Sequence, residues 1–162
     1  MNFKTLDDFN FKGKRVLLRS DLNSEVSKGK ITLSPRISES AKTIKELTKK
    51  KASVVIIAHQ GRKGDSDFTN LEQHAKLLNK YVKITFVSDV IGEKAVNAIK
   101  KLKPGEALLL DNVRSLDDEM KPDLNNALVK TLSPLFDIYV NDAFSVSHRA
   151  QTSIVSFPQL LP

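Results

Sequence analysis

The sequence predicts a doubly wound parallel α/β sheet, a Rossmann-like three-layer α/β/α arrangement in a single domain. Three observations predict it. Five short, β-rich apolar runs recur along the 162 residues, and they are continuous rather than alternating, as strands buried on both faces require. Stretches at helical spacing lie between them, and strand–helix alternation is the signature of a parallel sheet covered by helices. The length is about one domain's worth, enough for a sizeable core, with no internal linker, repeat or low-complexity tract.

The elements follow in order. "RVLLRS" (15–20) reads as the first strand. The segment from Ser20 to Arg36 is long for a strand-to-helix connection, and such segments usually carry function. Ile37, Ala41, Ile44 and Leu47 then make an apolar stripe at spacings of four and three. "SVVIIAH" (53–59) is the second strand. Leu71, Ala75 and Leu78 make the next stripe, opened by Thr69 with Glu72 three residues on, the pattern of a capping box. "KITFVSD" (83–89) is the third strand; Ala95, Ile99 and Leu102 form a helix stopped by Pro104-Gly105. "EALLLDN" (106–112) is the fourth strand. Leu124, Leu128 and Leu132 form the last stripe, with Pro122 suited to a first helical turn. "DIYVNDAF" (137–144) is the fifth strand, and the tail from Ser145 to Pro162 shows no clear helix.

Composition narrows the chemistry. There is no cysteine, so disulfides and thiolate metal sites are excluded. Three histidines make a zinc site a poor expectation, and no metal site is expected. No continuous apolar segment follows the N-terminal charges, and the longest apolar run, "VVIIA", is far short of a membrane span. A cytoplasmic protein with no membrane partner is expected. The net charge of +7 suits an anionic partner. Lys49-Lys50-Lys51 reads as a solvated helix end, because cations favour helix C-termini. No aromatic-rich basic stretch or nucleic-acid motif appears, so nucleic acid is not the expected partner.

The basic charge comes from 20 lysines and only 6 arginines, and the arginines are not scattered. In open α/β sheets, ligands bind beyond the carboxyl ends of the strands. Arg19, Asp21 and Asn23 follow the first strand, with Arg36 at the end of the long loop. His59, Gly61 and Arg62 follow the second. Only Asp89 follows the third. Asp111, Asn112 and Arg114 follow the fourth; Asn141, Asp142, His148 and Arg149 follow the fifth. Five of the six arginines thus lie at strand ends or in the loops after them. A planar guanidinium binds phosphate or carboxylate bidentately, where lysine is a point charge. Converging loops would set these forks around one small anion. Arg19 reads equally well as structural, paired with a neighbouring carboxylate. At the end of the second strand, Gly61 would let backbone amides approach an oxyanion. Arg62 would add charge there, and His59 a donor whose charge responds to pH. There is no G-x-x-x-x-G-K-[ST] loop and no G-x-G-x-x-G fingerprint. Ser145 and Ser147 flank His148 without a nucleophile elbow. The domain reads as a holder of a small anion without its own phosphate-donor site.

Five segments, in order and over essentially the whole chain, resemble the N-terminal domain of the phosphoglycerate kinase family, in its archaeal branch. "RVLLRSDLN" resembles the family's R-V-D-x-N, and "SPRI" its T/S-R-I segment. "HQGRKGD" is similar to H-x-G-R-P, "LLLDNVRS" to L-L-x-E-N-x-R-F, and "YVNDAFSVSHRAQTS" to V-N-D-A-F-x-x-x-H-R. The sequence departs from these patterns at Ser20, Lys63, Asp111, Ser115 and Gln151, none of them an expected anion ligand.

The resemblance implies a phosphotransferase of glycolysis and gluconeogenesis that moves a phosphoryl group between 1,3-bisphosphoglycerate and ADP, giving 3-phosphoglycerate and Mg-ATP. It implies that Asp21 and Asn23 take the hydroxyl and carboxyl end of the glycerate. His59, Arg62, Arg114 and Arg149 would hold the 3-phosphate, and Arg36 would be the catalytic residue, stabilising the phosphoryl group in transit. Residues 1–162 would be the phosphoglycerate-binding domain. The C-terminal domain that holds the nucleotide in this family would be absent, so no cofactor is expected in this chain and Mg-ATP or ADP would bind that partner domain. A monomeric fragment without turnover is expected, as a truncated product or half of a split gene. The alternatives are a non-catalytic anion-binding module or sensor of the same fold, and a basic nucleic-acid binder.

Overall fold

Alternate residues of each strand enter opposite layers, so the continuous apolar runs bury two cores at once. A computed structural model describes residues 4–162. Strands β1 (Arg15–Ser20), β4 (Ser53–Ile57), β5 (Thr85–Val87), β6 (Ala107–Leu110) and β7 (Ile138–Asp142) form one sheet in the order β5-β6-β4-β1-β7. Every pairing in it is parallel. Val16, Leu18, Val54, Ile56 and Leu109 point into one core. Leu17, Val55, Ile57, Leu108 and Leu110 point into the other.

The helices divide by direction of travel. From β1 to β4 to β5 the chain moves one way, through α1 (Pro35–Lys49) and α2 (Glu72–Leu78), and both helices cover the first core. From β5 to β6 to β7 it moves back, through α3 (Glu93–Lys101) and α4 (Ala127–Leu132), and both cover the second. A fixed crossover hand requires this: reversing direction moves the helices to the other face. The expected doubly wound three-layer fold is therefore present. β4 and β6 are neighbours whose following loops leave toward opposite faces, which opens a crevice at their carboxyl ends. Among the described residues, no helix is long and apolar enough to cross a membrane.

Local expectations differ in four places. The long loop after β1 carries an antiparallel ribbon, β2 (Val26–Ser27) with β3 (Lys30–Ile31). Its turn places Lys28 at φ 50° and Gly29 at φ 73°, the left-handed pair that tight hairpins need. The Thr69–Glu72 capping box does not form. The Leu71 amide donates instead to Asp111 Oδ1, that of Glu72 to Asn70 Oδ1, and the Thr69 carbonyl accepts from Asn112 Nδ2. The last long helix starts later than Pro122 and Leu124 suggest: Asn126 caps α4, its Oδ1 accepting from the Val129 amide, while Leu124 is exposed. The tail is not helix-free, for α5 (Thr152–Val155) buries Thr152, Ser153 and Ile154.

Candidate anion-binding site

Four loops meet at the carboxyl edge of the sheet around a cleft of about 480 Å³. The loop after β1 brings Asn23, and the first turn of α1 brings Arg36. His59, Gly61, Arg62, Asp65 and Asp67 follow β4, Arg114 follows β6, and Ser145, Val146 and Arg149 follow β7. Nothing after β5 reaches it, in keeping with the plain sequence there.

The walls are held by backbone-directed side chains. Asn112 Nδ2 donates to the carbonyls of Gln60 and Thr69, 2.8 Å each, and its Oδ1 accepts from the Arg114 amide. This ties the two loops that flank the crevice. Gln60 is fully buried: its Nε2 donates to the carbonyls of Ser24 and Asp67, and its Oε1 accepts from the Ser24 amide and from His74 Nε2. Arg114 Nη1 donates to the Gly61 carbonyl at 2.8 Å, while its Nε is buried without a partner.

Gly61 plays a different part from the one its sequence context suggests. Its amide donates to Asn23 Oδ1 at 2.8 Å, so that group is not free for an oxyanion. Glycine is required because φ is +65° and a Cβ would lie 2.6 Å from the Asp67 backbone. His59 also departs from expectation. Burial, and then the positive charges of Arg19, Arg114, Arg149 and Arg36, push its pKa down to about 2. It is a neutral group at physiological pH, not a charge switch.

The six arginines separate into three kinds. Arg15 opens β1 and donates to the Leu135 carbonyl. Arg19 is fully buried behind the cleft wall. Its Nε donates to Ser153 Oγ at 2.8 Å, its Nη1 to the Ser20 carbonyl, and its Nη2 lies 3.0 Å from His59 Nδ1. Among the described residues it reaches a carboxylate by hydrogen bonds only through Ser153, whose Oγ donates to Glu119 Oε1 at 2.6 Å. Arg36, Arg62, Arg114 and Arg149 line the cleft. Arg36 lies 3.4 Å from Asp21 Oδ1. Among the described residues, Arg62, Arg114 and Arg149 enter no ion pair. Burial and then the charges of Arg19 and Arg149 push the Arg114 guanidinium below its ordinary pKa. A bound anion would relieve that crowding.

Of the residues singled out in the sequence, Asn23, Arg36, His59, Arg62, Arg114 and Arg149 are brought together on the cleft. Asp21 lies beside it, lining an adjoining hollow with Pro35 and Phe144. Its Oδ2 accepts from Ser145 Oγ at 2.6 Å, and its Oδ1 from the Asn23 amide. Sequence reasoning missed Asp65, Asp67 and Ser145 on the wall, and Ser153 and Glu119 behind it. The charge of Glu119 sits in an acidic run, "DDEM", which resembles ordinary surface.

The family model for phosphoglycerate kinase matches residues 6–162. The chain is 51% identical to the phosphoglycerate kinase of Saccharolobus solfataricus, over all of this chain and 42% of that protein. It is 48% identical to that of Sulfurisphaera tokodaii, over all of this chain and 41% of that protein. The crystal structure of phosphoglycerate kinase from Pyrococcus horikoshii OT3 is similar at a TM-score of 0.93 and 40% identity, covering 97% of this chain and 40% of that one. The chain thus spans about two-fifths of the length of these relatives. With the sheet order, the cleft and the five ordered motifs, these matches establish that the chain belongs to the phosphoglycerate kinase family.

Proposed function

We propose that this chain is the phosphoglycerate-binding face of a phosphoglycerate kinase, taking 3-phosphoglycerate or 1,3-bisphosphoglycerate in the cleft. The observation that carries this reading is the trio Arg62, Arg114 and Arg149, which share one cleft with no carboxylate among the described residues paired to any of them. A phosphate dianion accepts several charge-assisted bonds, and planar forks supply them in matched pairs. His59 adds an uncharged donor, and Asn23 Nδ2 and Ser145 add polar groups for the glycerate end. Asp21 contributes by holding Arg36 and Ser145 at the rim.

Arg36 has the role of catalytic residue in this reading. It opens α1 at the cleft mouth, half exposed, where a transferring phosphoryl group would pass. Phosphoryl transfer depends on positioning and on neutralising the equatorial oxygens. The nucleotide, with its magnesium, is held in this reading by a domain beyond the two-fifths of the family that this chain spans. The chain alone therefore turns nothing over, since donor and acceptor must be held in line.

The test is calorimetric titration of the chain with 3-phosphoglycerate at low ionic strength, with backbone NMR shifts as a second readout. Saturable binding with shifts at residues 59–62, 114 and 149 is expected. No heat and no shifts at millimolar ligand would overturn the assignment.

A further inference from the structure

Behind the cleft wall lies a buried polar chain that the proposed binding role does not use directly. Glu119 is fully buried, and both of its oxygens accept from Ser153: Oε1 from the hydroxyl at 2.6 Å, Oε2 from the amide at 2.9 Å. Both oxygens are thereby met by donors, as an ionised carboxylate requires. Burial pushes its pKa up and Arg19 opposes this. The Ser153 hydroxyl donates to Glu119 Oε1, and from Arg19 Nε, which can only donate, it accepts at 2.8 Å. The Ser153 carbonyl accepts from Tyr139 Oη at 2.6 Å, which fixes the residue from a third side.

The polarity then runs in one direction. A guanidinium only donates. His59 Nδ1, 3.0 Å from Arg19 Nη2, must therefore be an acceptor, and the single ring proton must sit on Nε2. His59 lines the cleft. We propose that Glu119, Ser153 and Arg19 are positioning residues that lock His59 in its neutral Nε2–H form, making it a permanent uncharged donor for the bound anion. This rests on the binding role proposed above.

Cations face His59 from four elements and support the lock. Arg19 comes from β1, Arg36 from α1, Arg114 from the loop after β6 and Arg149 from the loop after β7, and all are cations. Asp65 and Asp67 stand on the same cleft wall. A second ring proton would have to meet the Arg19 N–H groups head-on. The consequence is a site whose donor pattern does not change between pH 5 and 8. Affinity for a phosphate monoester then follows only the ligand's own second ionisation, near pH 6.

The experiment reads tautomer and binding separately. Long-range ¹H–¹⁵N spectra of the unliganded chain report the protonated ring nitrogen, and the three histidines are assigned by single changes to Gln. The expected result is an Nε2–H signature at His59 that holds from pH 8 to pH 5. An Nδ1–H ring, or one that titrates in that range, overturns the proposal. In Ser153→Ala and in the charge-balanced pair Arg19→Met with Glu119→Gln, His59 is expected to show mixed tautomers and to titrate. Binding of 3-phosphoglycerate at pH 7 should fall roughly tenfold there, as for loss of one charge-supported bond. The Nε2–H signature unchanged in a folded variant of either kind also overturns it. If the variants do not fold, the wild-type spectra alone decide. Failure of wild-type binding with the expected tautomer would instead refute the binding reading and leave the lock standing.

Discussion

Replacing Arg62, Arg114 or Arg149 by Ala is expected to weaken 3-phosphoglycerate binding by about 10- to 100-fold each, since a lost charge-assisted bond is worth roughly 1.5–3 kcal/mol. Arg36→Ala should behave differently. It should leave ground-state affinity of this chain nearly unchanged, yet abolish turnover when placed in a two-domain relative, because only interactions stronger in the transition state raise the rate. Equal affinity losses for Arg36→Ala and Arg62→Ala in paired titrations would make Arg36 an ordinary ligand. Histidine sets the response to acid. The folded-state pKa values of His59 and His74 are lowered, to about 2 and about 4, both by burial first. Unfolded, each titrates near 6.5. Below that pH the unfolded chain binds more protons, so the stabilisation is complete above about pH 6.5 and erodes as pH falls toward 4, continuing for His59 toward 2. Melting curves from pH 7 to pH 4.5 should show this loss, and His74→Gln should flatten the slope. An identical slope in that variant would contradict the assignment. Gly61→Ala should lower stability by about 1–3 kcal/mol, the usual cost of a strained backbone conformation, since its φ is positive and a Cβ would meet Asp67. An unchanged melting temperature would argue against that close approach.

What a sequence shows of an element depends on how far away its partners lie. α1 was legible because its stripe of Ile37, Ala41, Ile44 and Leu47 is wholly buried against one core, and periodicity is a local property. The start of α2 was not. Thr69 and Glu72 have the spacing of a box, but Asp111, 40 positions away, takes the Leu71 amide. Long-range donors and acceptors outcompete local ones without leaving a trace in the local pattern. The cleft divides in the same way. Arginine is rare here, so its placement at strand ends could be read; Glu119 could not, because its burial depends on Ser153, 34 positions distant. Asn112 makes the loop after β6 a test of this view. Its side chain ties Gln60, Thr69 and Arg114, so Asn112→Ala removes three bonds and leaves buried carbonyls unmet. A cost of about 1–3 kcal/mol is expected, with loss of ligand affinity although Asn112 does not line the cleft. Full affinity in a destabilised Asn112→Ala chain would show that the two loops hold their places independently.

At the scale of the whole molecule, the chain is expected to bind without turning over, and to recover turnover when a nucleotide-binding domain of the family is supplied in trans. ADP-dependent turnover by the purified chain alone would contradict the first expectation. The sheet topology bears also on the order of events in time. β1 lies between β4 and β7; its second partner comes from far along the chain, with Arg15 and Asp137 in contact 122 positions apart. Closing so long a loop is slow relative to the short crossover from β1 to β4. Arg149 and Ser153 follow β7 and reach the sheet edge only once that strand has docked. The cleft is then completed last: a collapsed chain with β4, β1 and α1 already ordered lacks Arg149 at its anion site and Ser153 as the partner of Arg19 Nε. Pulse-labelled hydrogen exchange during refolding should find the amides of β7 protected after those of β1 and β4. Phosphoglycerate added at the start should leave the early phase untouched and slow only unfolding, so that the ligand acts as a latch on a finished molecule and not as a template for its assembly.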